Sequence, residues 1–337
     1  MLTKSLSIVI PVYNSEQSLP ALLERLTGLV PSMAERFEII LVNDDSHDGS
    51  EAAINRACQE DDRVVGIHLM RNFGQHTALL AGIRAAQFET IVTMDDDLQN
   101  PPEEMPRLLA KLAEGFDVVY GYPRRESHGL WRNFASRITK MTLRAAMGVD
   151  VASHVSSFRA FRSRVRPAFA DYRGAFVSID VMLGWGTSRF AAIPVDNPPR
   201  TLGASTYTVR KLVVHAVNMV TGFSIMPLQF ASVLGFAFAA FGFCVLVFVV
   251  GKYLIHGEPV AGFPFLASML SIFSGAQLFS LGIIGEYLAR MHFRLLDRPS
   301  YSVREITRKT APAALNCTGG RDEPVLPAAL GGSGSEP

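Results

Sequence analysis

Thr90 to Asn100 reads TIVTMDDDLQN: an apolar, β-branched run breaks directly into three carboxylates and an amide side chain. Such a run predicts a buried strand over Thr90 to Met94, with the carboxylates at its carboxyl end. The same alternation recurs towards the N-terminus. Strands are expected over Leu6 to Val12, Phe37 to Val42 and Val64 to Leu69, with helices from about Ser18, over Ser50 to Gln59 and over Thr77 to Ala86. After the carboxylates, Asn100 is expected to cap a helix with Pro101 in its first position, and Gly115 to close it. Alternating elements of this kind predict an α/β chain with a mostly parallel sheet under helices. In such sheets ligands sit outside the carboxyl ends of the strands, where the polar motifs of this chain fall.

The chain has 337 residues, 48% hydrophobic and 19% charged, with a net charge of +1. That balance fits one soluble domain plus a membrane portion, and no nucleic-acid partner is expected. The apolar excess is localised. No Asp, Glu, Lys or Arg occurs from Leu212 to Gly251, and Phe263 to Gly285 is a second charge-free run. Both are long enough to cross roughly 30 Å of hydrocarbon. Spans are expected at 227–250 and 263–288; a pair of buried core helices is the alternative. Arg210 and Lys211 precede the first run, and Arg290, Arg294, Arg298, Arg304, Arg308 and Lys309 follow the second, whereas the connector YLIHGEPVAG has neither Lys nor Arg and only Lys252 stands at its edge. Retention of basic flanks on the cytoplasmic side predicts a membrane protein with both termini, and the domain before the first span, cytoplasmic.

The start MLTKSLSIVIPVYN runs into a polar motif without a small-residue cleavage site, so it reads as a strand and not a signal peptide. Cys58, Cys244 and Cys317 are scattered and predict neither a disulfide framework nor a metal cluster. The segment after Ala311 is rich in Pro, Gly and Ser and is expected to be a disordered tail.

Asp95, Asp96 and Asp97 repel one another unless something positive sits among them. A divalent cation, Mg²⁺ or Mn²⁺, held by one or two carboxylates and by diphosphate oxygens resolves that repulsion. A solvated acidic turn is the plainer reading of an isolated DDD. PVYN (Pro11, Val12, Tyr13, Asn14) supplies an aromatic ring and an amide at the first strand end, and VNDDS (Asn43 to Ser46) supplies acceptors at the second. A flat base can stack on Tyr13 while Asp44 accepts from its ring N–H, although either motif alone is ordinary turn chemistry. Gln75 and His76 stand at a helix start, whose unpaired N–H groups suit a sugar or phosphate.

The ordered set PVYN, VNDDSHDGS, RNFGQHTALLAG, VTMDDDLQNPPEE and GIIGEYLARM resembles glycosyltransferase family 2, in its polyprenyl-phosphate branch, over roughly residues 5 to 305. The resemblance implies a GT-A fold over 1–206 and an inverting transfer of a sugar from a nucleotide sugar, a UDP-sugar by likeness to bacterial relatives, to polyprenyl (undecaprenyl) phosphate. Pro11, Tyr13, Asn14, Glu16, Asp44, Asp96, Gln75 and His76 would surround the nucleotide sugar, with Asp95 near the ribose or sugar. Asp97 and Gln99 would bind the metal. Arg124, Arg159 and Arg200 would meet phosphates, and since relatives with paired spans often form tetramers, the resemblance implies a homotetramer.

The chain departs from the family pattern at several places. Asn43 stands for an acidic residue of DDGS and Asp45 for its glycine, Ser15 for the glutamate after PVYN, and Thr206 for the lysine of GxSKY. Arg210 or Lys211 is the expected substitute for that lysine. Gly129 to Gly148 places Leu130, Trp131, Phe134, Ile138, Met141 and Ala145 on one helical face, which suits either the membrane interface or ordinary packing on the sheet. A second amphipathic segment is expected at 207–226, and a basic cytoplasmic segment at 289–310. Asn43 and Thr206 leave one rival: a non-catalytic membrane protein that binds lipid-linked sugars.

Overall fold

The computed structural model describes residues 3–124, 154–174, 176–196, 221, 225–256 and 262–309. Four parallel strands come first: β1 (Thr3–Val12), β2 (Ala34–Asn43), β3 (Val64–Leu69) and β4 (Thr90–Thr93). They alternate with α1 (Leu19–Leu29), α2 (Ser50–Glu60) and α3 (Gln75–Ala85), as the alternation predicts. β5 (Val118–Pro123), β6 (Arg159–Arg162) and β7 (Phe190–Val195) widen the sheet, with β6 antiparallel to both β4 and β5 and β7 parallel to β5. The order is β7-β5-β6-β4-β1-β2-β3, and a last strand, β8 (Val303–Thr307), lies beyond β3. The mostly parallel α/β sheet expected from the sequence is therefore present.

Strand residues face two cores because helices cover both sides of the sheet. Leu6, Ile8, Ile10 and Val12 pack with Leu22 and Leu26 of α1, Ile54 of α2 and Leu108 of α4 (Met105–Ala113). Val9, Val42 and Ile91 pack instead with Leu79 and Ile83 of α3 and with Met182 of α5 (Ile179–Gly186). α3 lies tight on the sheet at Gly82, where a Cβ would come within 2.3 Å of Val9 Cγ1. The cap expected at Asn100 is displaced. Pro101 instead precedes a 3₁₀ turn at Pro102–Glu104 that leads into α4, and Asn100 is buried. Consecutive prolines favour this tight entry, since Pro102 has no N–H for a cap to satisfy. Gly115, at φ 105°, ends the helix as expected.

Two long apolar helices follow, α6 (Met226–His256, 31 residues) and α7 (Phe263–Leu295, 33 residues). At 1.5 Å per residue they are about 46 and 50 Å long, more than a hydrocarbon layer needs. Their most apolar windows are not buried at all. They touch each other, Phe238 and Phe273 meeting edge to face at 5.8 Å beside Gly242, whose missing Cβ leaves Phe273 room.

The expected basic segment at 289–310 is more structured than its charge suggests. α7 continues to Leu295, and β8 pairs antiparallel with β3, returning the chain to the sheet. Charged residues read as a solvated segment because they sit on an exposed edge strand, where charge is normal. The interface helix at 129–148, residues 201–220 with Arg200, Thr206, Arg210 and Lys211, and the tail from 311 lie outside the described residues.

Candidate active site

β1 to β5 and β7 all end on one rim of the sheet, and the antiparallel β6 begins there. The loops leaving β1 to β4 each contain one residue of positive φ: Asn14 (54°), Asp45 (58°), Gly74 (90°) and Leu98 (61°). Asn and Asp tolerate that region and Gly prefers it, whereas Leu98 is a true outlier held between Asp97 and Gln99. The first two loops are clasped together. Asn14 Oδ1 accepts the His47 N–H at 2.8 Å, Ser46 Oγ accepts the Asn14 N–H at 3.1 Å, Asp48 accepts the Glu16 N–H at 3.0 Å, and Glu16 accepts the Gly49 N–H at 3.0 Å.

The three carboxylates turn to three sets of donors. Asp95 accepts from Gln75 Nε2 and from Ser157 Oγ, both at 2.6 Å. Asp96 accepts from Ser15 Oγ and from the Tyr13 N–H, the latter at 3.3 Å. Asp97 accepts the Gln99 N–H at 3.1 Å. Neutral donors therefore share the work that the sequence reading gave to a cation alone. Burial raises the pKa of Asp95, against the hydrogen bond from Ser157 and the more distant charge of Arg159, and pushes Asp96 up to about 6.

Several expected site residues prove to be supports. Asp44 is buried, with its two oxygens accepting the Phe73 and Gly74 N–H groups at 2.7 and 2.8 Å. It organises the RNFG loop that leads to Gln75. Burial raises its pKa while these amides oppose the rise. Glu16 belongs to the loop clasp. His76 Nδ1 accepts the Ile179 N–H at 3.5 Å, which joins α3 to the start of α5. Pro11 is buried within β1, whereas Tyr13 is 46% exposed with its ring available on the rim.

Arg159 is the clearest correction. Its side chain is 1% exposed, paired with Asp180 and donating to Thr93 Oγ1 at 2.9 Å, while the Tyr120 hydroxyl donates to Asp180 at 3.1 Å. The expected phosphate contact would require breaking a buried ion pair, a cost of several kcal/mol. Arg124 does stand on the rim, exposed and 3.3 Å from Asp196. Arg71 also lies exposed at the rim with its guanidinium over the Phe73 ring. Sequence reasoning passed over Arg71, although it belongs to the RNFGQH motif. Ser157, Ser15 and Asp180 were missed as well, and no local pattern marks a serine or an aspartate whose partner is tens of residues away. The replacement at Asn43 now has a reason: its Nδ2 faces His68 Nδ1 at 3.2 Å, and Oδ1 accepts the Ser46 N–H.

Asp97 and Gln99 supply the hard oxygen donors that Mg²⁺ or Mn²⁺ prefers. Among the described residues no three His, Cys, Asp or Glu side chains form a complete metal site, so the remaining oxygens would come from a ligand. That composition suits an ion shared with a diphosphate.

The sequence profile "Glycosyl transferase family 2" matches residues 7–169, which hold the carboxylate rim. The chain belongs to this family. The undecaprenyl-phosphate 4-deoxy-4-formamido-L-arabinose transferase of Aeromonas hydrophila is 36% identical over 92% of this chain and 96% of its own. That of Shewanella sediminis is 37% identical over 89% and 92%. A solved glucosyl-3-phosphoglycerate synthase from Mycobacterium tuberculosis aligns more loosely, with a TM-score of 0.49 and 20% identity over 65% of this chain and 78% of that one.

Proposed function

We propose that the chain transfers a sugar, with inversion, from a nucleotide sugar to undecaprenyl phosphate at the cytoplasmic face of the inner membrane. One observation carries the reading: the chain leaves β7 at Val195 and re-enters β8 at Val303 on the carboxylate rim, so the apolar hairpin is attached on the side of the site. The relatives' names support the acceptor, and the basic flanks of the hairpin support the orientation.

Tyr13 stacks the base, and Gln75 and Ser157 hold Asp95 towards the ribose or sugar. When bound at Asp97 and Gln99, Mg²⁺ or Mn²⁺ supplies positive charge to the diphosphate. Arg124, with Arg200 and Lys211, meets the phosphate of the acceptor. A phosphate monoester with a second pKa of about 6 is already ionised at neutral pH, so no side chain need act as a base. The harder task is to bring two anions together, which is work for guanidinium groups.

The test incubates membranes containing the protein with a panel of nucleotide sugars and undecaprenyl phosphate, and identifies the glycolipid by mass. Asp97→Ala is expected to lower kcat by about 10²- to 10³-fold, the usual loss when a group stabilising transition-state charge is removed. Full turnover by that variant overturns the site. Absence of metal-dependent nucleotide release would favour the rival, a pure binder.

A further inference from the structure

The charge-free part of α7 ends at Gly285, and its last turns, Glu286 to Leu295, extend about 15 Å further. This stalk does not project freely. The Arg290 side chain is 14% exposed, pairs with Glu286 one turn earlier at 2.7 Å, and places its guanidinium 4.5 Å from the centre of the Phe176 ring. Arg173 pairs with Asp297 at 2.7 Å, and Ser300 Oγ lies within hydrogen-bonding distance of the carbonyls of Tyr172 and Gly174, at 3.3 and 3.0 Å. Phe176 is itself tied down, because its carbonyl accepts the Tyr172 hydroxyl at 2.6 Å. Met291, Phe293 and Leu295 remain exposed on the stalk, apolar groups suited to a headgroup layer.

We propose that residues 172–174 and Phe176 form a seat for the stalk, and that Phe176 and Arg290 are positioning residues that set the height of the carboxylate rim above the lipid surface. The inference rests on the lipid-acceptor reading above. Magnitudes favour Phe176 and Arg290 over the neighbouring ion pair. Arg173 and Asp297 are both mostly exposed, and exposed pairs contribute little, whereas a partly desolvated cation over a ring is stronger. The β8 to β3 ladder already holds the chain to the sheet, so the seat adds orientation more than stability. It is also adjacent to the site. Three residues beyond Phe176, α5 begins, with Ile179 donating to His76 and Asp180 pairing with Arg159. A tilt of the stalk would therefore reach the same helix start that flanks Gln75.

The experiment uses the full chain in lipid vesicles. Phe176→Ala and Arg290→Leu are expected to reduce kcat with undecaprenyl phosphate by about 10-fold, since small misplacements of reacting groups are costly, with the KM for the nucleotide sugar unchanged. Arg290→Lys, which keeps the cation, is expected to restore most of the rate. With a short, water-soluble prenyl phosphate the losses should vanish, because that acceptor is not confined to a plane. In parallel, energy transfer from a dye on His47→Cys, in a chain whose native cysteines are serine, to a headgroup dye should shift in both variants. Equal losses with both acceptors, or an unchanged transfer efficiency, overturns the seat. If the unmodified chain glycosylates no prenyl phosphate, the acceptor reading fails by itself, and the distance measurement still decides the seat.

Discussion

Around the carboxylate rim, apolar side chains lie inside and polar groups are paired: Leu6, Ile8 and Ile10 have no exposed surface, and Asp44, Asp95 and Asp96 each meet two donors. Along the hairpin the relation is inverted, with Phe236 at 78% and Leu254 at 76% exposure and little polar surface between them. One chain thus follows two rules for its apolar residues. Large contiguous apolar surface of this kind requires a second apolar phase or partner, whereas the rim must hold charge in a fixed geometry. The two regions are coupled because β8 returns from the hairpin to the sheet that carries the rim.

The contrast breaks most severely at the buried pair beneath the rim. Asp180→Ala leaves Arg159 charged and unpaired in the interior, and is expected to cost about 3–5 kcal/mol of stability; denaturant unfolding of the catalytic domain within the full chain measures it. A loss below about 1 kcal/mol would mean that water reaches this pair. The hairpin should answer to the opposite change. Phe241→Arg places a charge near the middle of the span, where the helix is exposed and apolar, and is expected to disfavour insertion by about 2.5–3.5 kcal/mol. The readout is the membrane-bound fraction on expression, with the exposed rim-domain change Glu24→Arg as the neutral comparison.

The smallest effect sharpens the account of buried polar groups. His68 is buried between Asn43 and Asn55, and burial lowers its pKa below the ordinary 6.5, with Glu51 and Glu305 raising it and Arg304 lowering it. Protonation is therefore resisted in the folded state and free in the unfolded one. Its contribution is intact above pH 6.5 and is lost as the pH falls from there through the lower folded value. Each unit of displacement corresponds to about 1.4 kcal/mol. Thermal unfolding between pH 7 and pH 5 should show this slope, and His68→Gln should flatten it; an unchanged slope would assign the titration elsewhere.

The sequence by itself determined the first four strands and their helices, the position of the rim and the two apolar runs. Each of these is written in local periodicity: fully buried parallel strands are continuous apolar runs, and charge-free stretches of more than twenty residues stand out against any soluble background. It also carried the family, through motifs that keep their order. Only the tertiary structure decided which polar residues act together. Arg159 became a support because Asp180 meets it on another element, Asp44 because the RNFG amides fold onto it, and Asp95 gained Gln75 and Ser157 from two different loops. β8 was invisible for a similar reason, since a short charged segment becomes a strand only when β3 offers it an edge. Burial and hydrogen bonding are pairwise properties of residues distant in the chain, and a local pattern does not contain them.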